Sequence, residues 1–211
     1  MEQRPGPALL ADARRGSGDE IRIVGFAGSL RAASLNRGLL RAAIELAPAD
    51  CVIEPFDLRG VPLYDEDLRH AGPPEAVQEL KSRIAAADGL LICTPEYNNS
   101  FSPVTKNAID WISRPPAESP LRELPVGIMG ASDGHFGTAR AQAALRVVLA
   151  ATGANVMSKP LFLVWRGHEH ADEQGNLVDA DQRQRLEQYM AALVDWIRRV
   201  RVATATEGAN R

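Results

Sequence analysis

The segment "IRIVGFAGSLRAASLN", Ile21 to Asn36, begins apolar and turns abruptly polar at Gly28-Ser29, with Arg31, Ser34 and Asn36 following. Ile21–Gly28 reads as a buried strand. Leu39, Leu40, Ala43, Ile44 and Ala47 recur at helical spacing just beyond, which predicts a helix over Leu35–Leu46. Strand, short polar loop and helix in direct succession make the first unit of an α/β fold. The same alternation recurs along the chain. "CVIEPFDL" (51–58), "GLLICTP" (89–95), "PVGIMGAS" (125–132) and "ANVMSKPLFLV" (154–164, interrupted by Pro160) read as further strands. Their near-continuous apolar character is that of parallel strands covered on both faces. Helical patterns separate them, over Pro74–Ala87, Thr105–Ile112 and Thr138–Ala151. Ala180–Val202 closes the series with Leu186, Met190, Leu193, Ile197 and Val200 on one face. The expectation is an α/β three-layer sandwich, a five-stranded parallel sheet in the order 2-1-3-4-5 with helices on both faces.

In such sheets ligands sit beyond the carboxyl ends of the strands, at the point where strand order reverses. Strands one and three meet there, the position at which a flavin mononucleotide lies in folds of this order. The loop after strand one offers a tight turn at Gly28, the neutral donors Ser29, Ser34 and Asn36, and the forked cation Arg31. Together with the free amides at a helix start, these form an anion socket. Ser34 or Asn36 would equally serve as an ordinary helix cap, and the residues alone leave both open. The loop after strand three, "TPEYNNSFSPVTKNAIDW" (94–111), has turn residues Pro95 and Asn98 flanking Glu96 and Tyr97; Tyr97 offers a flat wall for a planar heterocycle. Glu96 reads as a carboxylate capping a backbone group rather than a general base, and Ser102 as a helix cap. The loop after strand four, "GASDGHFGTARAQ" (130–142), is rich in glycine, with Thr138 placed to cap the next helix.

Composition removes other classes. The chain of 211 residues carries a formal net charge of −3 and 5% aromatics. It has neither a basic field for nucleic acid or anionic lipid nor an aromatic platform for single strands. G-x-G-x-x-G and G-x-x-x-x-G-K-[ST] are both absent, against a dinucleotide-binding dehydrogenase and a P-loop ATPase. Cys51 and Cys93 stand alone in apolar runs and read as buried free thiols. No metal site is expected: His168 and His170 of "HEH" lack a third ligand and read as solvated loop residues, as does His135. Arg198, Arg199 and Arg201 read as charge suited to a helix C-terminus. No segment resembles a signal peptide or a membrane span, so the expected compartment is the cytoplasm. One domain over 20–202 is expected, with tails at 1–19 and 203–211.

The blocks "GSLRAASLN", "PEYNNSFSPVTKNAIDW" and "GASDGHFGTARAQ", in this order, resemble the NAD(P)H-dependent FMN reductase family, and within it the bacterial quinone and chromate reductases. The resemblance spans about Ile21 to Val202, with "PEYN…KNAIDW" its most specific part. It implies a flavodoxin-like fold and an FMN cofactor reduced by NADPH or NADH. Quinone-like acceptors would then be reduced in a ping-pong hydride transfer, with no catalytic side chain required. It implies an FMN-phosphate loop of Ser29, Arg31, Ser34 and Asn36. Pro95, Glu96, Tyr97 and Asn98 would lie beside the isoalloxazine ring, with Ser132 and Gly134 in a third flavin-side loop. It also implies a homodimer or homotetramer. Asn99–Pro103 departs from the aromatic and glycine common in relatives, in the region that shapes the ring's surroundings. The competing functions are an azoreductase or free-flavin reductase, a flavodoxin-like electron carrier, and a flavin-binding regulatory protein. A carrier of this fold is usually more acidic and flanks the ring with two aromatics, whereas the charge here is mild and Tyr97 is the one aromatic expected beside the ring.

Overall fold

A computed structural model describes residues 20–209. The expected tail over 1–19 and the final residues 210 and 211 lie outside the described residues. The order of elements is β1 (Ile21–Ala27), α1 (Leu35–Glu45), β2 (Cys51–Phe56), α2 (Glu66–Ala71), α3 (Glu75–Ala86) and β3 (Gly89–Cys93). Next come β4 (Glu96–Tyr97), β5 (Ser100–Phe101), α4 (Pro103–Ile112), β6 (Pro125–Ala131), α5 (Ala139–Ala151), β7 (Asn155–Val156), β8 (Phe162–Val164) and α6 (Ala180–Ala209).

The main sheet runs β2-β1-β3-β6-β7, with β8 also paired to β6, and every pairing is parallel. With β6 as the fourth strand and β7–β8 as the broken fifth, this is the expected 2-1-3-4-5 order. The break falls at Pro160, which has no N–H to donate to the ladder with β6. β7 pairs with Pro125 and Val126, and β8 with Met129 to Ala131, so both halves extend the same edge.

Alternation along the strands builds two cores. Ile21, Ile23, Leu91 and Cys93 face α1 and α6, packing on Leu39, Leu186, Leu193 and Ile197. Val24, Phe26, Leu90 and Ile92 face the other way, onto Leu80, Ile84, Ile109, Leu145 and Leu149 of α3, α4 and α5. Every residue of β3 and β6 is buried, because helices cover both faces. Each fully buried aliphatic side chain contributes about 1.5–3 kcal/mol relative to exposure.

Three local features depart from the sequence reading. α6 continues to Ala209 rather than stopping at Val202. Ala203 favours helix, and the Thr204 and Thr206 hydroxyls donate back to the Val200 and Val202 carbonyls. The arginines therefore do not mark a helix end; Arg198 pairs with Asp50 and Arg201 with the buried Asp88. A short helix, α2, forms over Glu66–Ala71, where Asp65 accepts N–H bonds from Asp67 and Leu68. Finally, "EYNNSF" is a hairpin rather than an irregular loop. Among the described residues, no helix is long and apolar enough to cross a membrane.

Candidate functional site

The loops after β1, β3 and β6 close around one cleft of about 590 Å³ at the carboxyl edge of the sheet. All the residues expected there line it. Ser29, Arg31, Ser34 and Asn36 come from the first loop, Pro95, Glu96, Tyr97 and Asn98 from the second, and Ser132 and Gly134 from the third. The structure gives these residues distinct tasks.

In the first loop, Ser34 is the N-cap of α1, its Oγ accepting the Arg37 N–H at 3.3 Å. The Leu35 and Asn36 amides at the same terminus have no intrahelical acceptor. Asn36 is buried, and its amide is consumed by the backbone of β6. Nδ2 donates to Ala131 O at 2.9 Å and Oδ1 accepts from Ala131 N at 3.0 Å. It therefore welds the start of α1 to the end of β6, while its backbone N–H stays among the unpaired amides of the helix start. Arg31 is exposed and, among the described residues, has no hydrogen-bond or ion-pair partner.

The second loop is anchored by a buried hydroxyl cluster. Ser102 Oγ and Thr105 Oγ1 lie 2.9 Å apart, Thr105 Oγ1 donates to Thr94 Oγ1 at 3.3 Å, and Ser102 Oγ caps α4 through the Thr105 N–H. Gly28 presses its Cα against this cluster; a Cβ there would stand 2.0 Å from Thr105 Oγ1. The first and second loops are thus in direct contact, which explains the glycine. Beyond Pro95, Glu96 and Tyr97 pair antiparallel with Phe101 and Ser100. Asn98 (φ 49°) and Asn99 (φ 63°) make the two-residue turn. Positive φ at both central positions is the geometry that matches hairpin twist, and asparagine tolerates it.

Glu96 is a cap, as its sequence context indicated, but of a distant helix. Its Oε2 accepts the Arg140 and Ala141 N–H groups, each at 3.0 Å, at the start of α5. Thr138, expected to do this, stands at the N-cap position without a side-chain bond to the helix amides. Its hydroxyl instead accepts from Gln142 Nε2. The cap crosses from the second loop to the helix that follows the third.

Sequence reasoning missed Phe136 and Arg140, which also line the cleft. Phe136 is 58% exposed and Tyr97 is 44% exposed, so two aromatic faces meet the cleft. The expectation of Tyr97 as the sole aromatic is corrected. Phe136 lies inside the glycine-rich loop quoted above, and an aromatic in so small-residued a loop was the available signal. The Arg140 guanidinium stacks 4.1 Å over the Phe136 ring. The "KNAIDW" block lines no part of the cleft. Asn107 binds Tyr64 N and Pro62 O at 2.7 and 2.8 Å, and Trp111 Nε1 donates to the same Pro62 O at 2.8 Å. It pins the loop after β2, from which Arg59 reaches the Leu30 carbonyl of the first loop at 3.3 Å.

His168 and His170 diverge onto separate carboxylates, Asp133 and Asp179, and no three His, Cys, Asp or Glu gather among the described residues. His135 is exposed and outside the cleft. Burial raises the Cys51 thiol to about 11 and the wholly buried Cys93 thiol further still, so neither is a ready thiolate.

The sequence profile of the NADPH-dependent FMN reductase family matches residues 21–169. An NAD(P)H-dependent FMN reductase of Pseudomonas aeruginosa is 45% identical over 183 residues, covering 87% of this chain and 98% of the relative. A 2-hydroxy-1,4-benzoquinone reductase of a Burkholderia species is 41% identical, covering 86% and 99%. Among solved structures, the flavoenzyme NAD(P)H:(acceptor) oxidoreductase FerB of Paracoccus denitrificans superposes with a TM-score of 0.77 at 35% identity, over 85% of this chain and 98% of that one.

The donor set fits FMN. The first loop brings an unpaired guanidinium, hydroxyls and a helix N-terminus to the cleft, the chemistry a phosphate requires. The second and third loops bring the Tyr97 and Phe136 rings and the paired hairpin. The carboxylates nearby are already engaged, Glu96 by amides and Asp133 by His168.

Proposed function

The chain belongs to the NADPH-dependent FMN reductase family, and from that premise we propose that it is an FMN-containing oxidoreductase passing electrons from NAD(P)H to quinone-like acceptors. The observation that carries this reading is a cleft at the strand switch point lined by the unpaired Arg31, by hydroxyls and a helix start, and by the Tyr97 and Phe136 rings. FMN, when bound, supplies the hydride-accepting and hydride-donating centre, serving donor and acceptor in turn. The protein's work is positioning and electrostatics. Arg31, Ser29 and the free amides of α1 hold the phosphate, and the Ser34 cap fixes the direction of those amides. Tyr97 and the Asn98–Asn99 turn set one border of the ring site. Ser132 and Gly134 set another, the Ser132 hydroxyl donating to the Gly137 carbonyl so that the third loop keeps its shape. Asn36 and Glu96 act at one remove, by joining the elements that carry these groups.

A homodimer or homotetramer working in the cytoplasm completes the reading. Val147 is 72% exposed on α5, as a partner-facing helix would have it, and Cys51 and Cys93 are free thiols. Light scattering on the purified protein reads the mass directly.

The test is spectroscopic. The purified protein should be yellow, bleach on anaerobic addition of NADH or NADPH, and regain its colour when a benzoquinone is added. A protein that is colourless and takes up no added FMN overturns the proposal. A yellow protein inert to both nucleotides points to an electron carrier.

A further inference from the structure

Residues 165–178, between β8 and α6, line no part of the cleft, yet they touch two of the loops that form it. On the side of the third loop, Gly167 N donates to Ser132 O at 3.0 Å and Arg166 N to Gly134 O at 3.3 Å. On the side of the first loop the contact is backbone against backbone. Gly175 (φ +77°) packs on the Ala33–Ser34 peptide, where a Cβ would lie 2.9 Å from Ala33 O. It also packs on Gly38 of α1, where a Cβ would stand 1.7 Å from Gly175 O. Neither neighbour is a flexible side chain able to swing aside.

This segment is braced to hold that contact. Asp172 accepts from the Gln174 and Asn176 amides at 3.0 and 2.8 Å and from Asn176 Nδ2 at 2.8 Å. Arg41 on α1 donates to Asn176 Oδ1 at 2.7 Å and to Gln174 O at 3.3 Å. Ala171 and Leu177 form an antiparallel bridge at its base, and Asp179 caps α6 through Gln182 N. Donors from Asn176 hold the Asp172 carboxyl below its ordinary value, the direction expected of a carboxylate that accepts these N–H bonds.

We propose that the 165–178 segment is a strap whose Gly175–Gly38 contact and Asp172–Asn176–Arg41 brace position the Ala33–Ser34 end of the first loop, and so determine how tightly the protein holds the phosphate of its cofactor. The strap residues are positioning residues that touch no ligand. The inference rests on the FMN reading above.

The experiment measures FMN and riboflavin affinities side by side by quenching of flavin fluorescence, since riboflavin lacks only the phosphate. Gly38→Ala should weaken FMN binding about tenfold, the scale of one charge-assisted hydrogen bond lost. Riboflavin binding should stay within about twofold, so the preference for FMN shrinks. If Gly38→Ala does not fold, Arg41→Ala and Asp172→Ala decide, because they loosen the brace without inserting an atom between backbones. A preference for FMN unchanged in the folded variants overturns the inference, whether both affinities fall together or neither falls. An unaltered protein that binds neither flavin overturns the FMN reading instead. One that binds both equally retains that reading and removes the strap's proposed role.

Discussion

Arg31 and Glu96 look alike in the sequence, each a charged side chain in a loop near a turn, and the structure separates them. Arg31 has no intramolecular partner among the described residues, so its removal should leave the fold intact. Losing one charge-assisted contact to a phosphate costs about 1.5–3 kcal/mol. Arg31→Ala should therefore weaken FMN binding about 10- to 100-fold by fluorescence titration, with an unchanged melting temperature. Undiminished affinity would return the first loop to a mere helix cap. Glu96 behaves oppositely, since its carboxylate holds two amides of α5. Glu96→Ala should cost about 1 kcal/mol of stability, the usual value of an N-cap, read from the denaturant midpoint. Asn36 lines the cleft and also clamps Ala131 of β6 through one N–H and the oxygen of its side-chain amide.

The hairpin Glu96–Phe101 borders the cleft through Glu96, Tyr97, Asn98 and Asn99. Asn98 and Asn99 adopt the positive φ angles that a two-residue turn needs. A β-branched residue there costs about 1–2 kcal/mol in left-handed backbone. Asn99→Val should lower stability by that amount, whereas Asn99→Gly should be tolerated. Thermal unfolding of the two variants checks this; equal melting temperatures would mean that the turn does not constrain the hairpin. A dipeptide of asparagines between short β-prone pairs was a readable hairpin signal. The helix caps were less readable. Ser34 and Ser102 cap the helices they precede, as their positions indicated. Thr138 does not, because a carboxylate from another loop reaches the same amides first.

Within the core that faces α1 and α6, Cys51, Cys93 and Tyr189 all shift in one direction. Burial raises Cys51 to about 11 and raises Cys93 and Tyr189 as well. Once unfolded, a thiol ionises near 9 and releases a proton that the folded state retains. The unfolded chain then binds fewer protons, so stability falls as pH rises above about 9. Denaturant midpoints measured from pH 7 to 11 should decline only above about pH 9, as far as these groups are concerned. Both thiols should resist alkylation in the native protein at pH 8 and react on unfolding.

The alternation of apolar runs with helical faces contained the layer architecture, because burial on both faces of a parallel sheet leaves no freedom for polar residues in β3 or β6. It also contained the location of the cleft, since strand order dictates where a crevice opens. The contiguous motifs accordingly named residues that do line it. What could not be read along the chain was which polar groups are spent on the protein itself. Asn36 meets Ala131, Glu96 meets Arg140, and Gly38 meets Gly175 across long separations in sequence. Such pairings depend on how the loops of different strands are brought within hydrogen-bonding distance. A hydrogen bond or a close backbone contact is satisfied in space, and sequence periodicity records only which face a residue is turned toward.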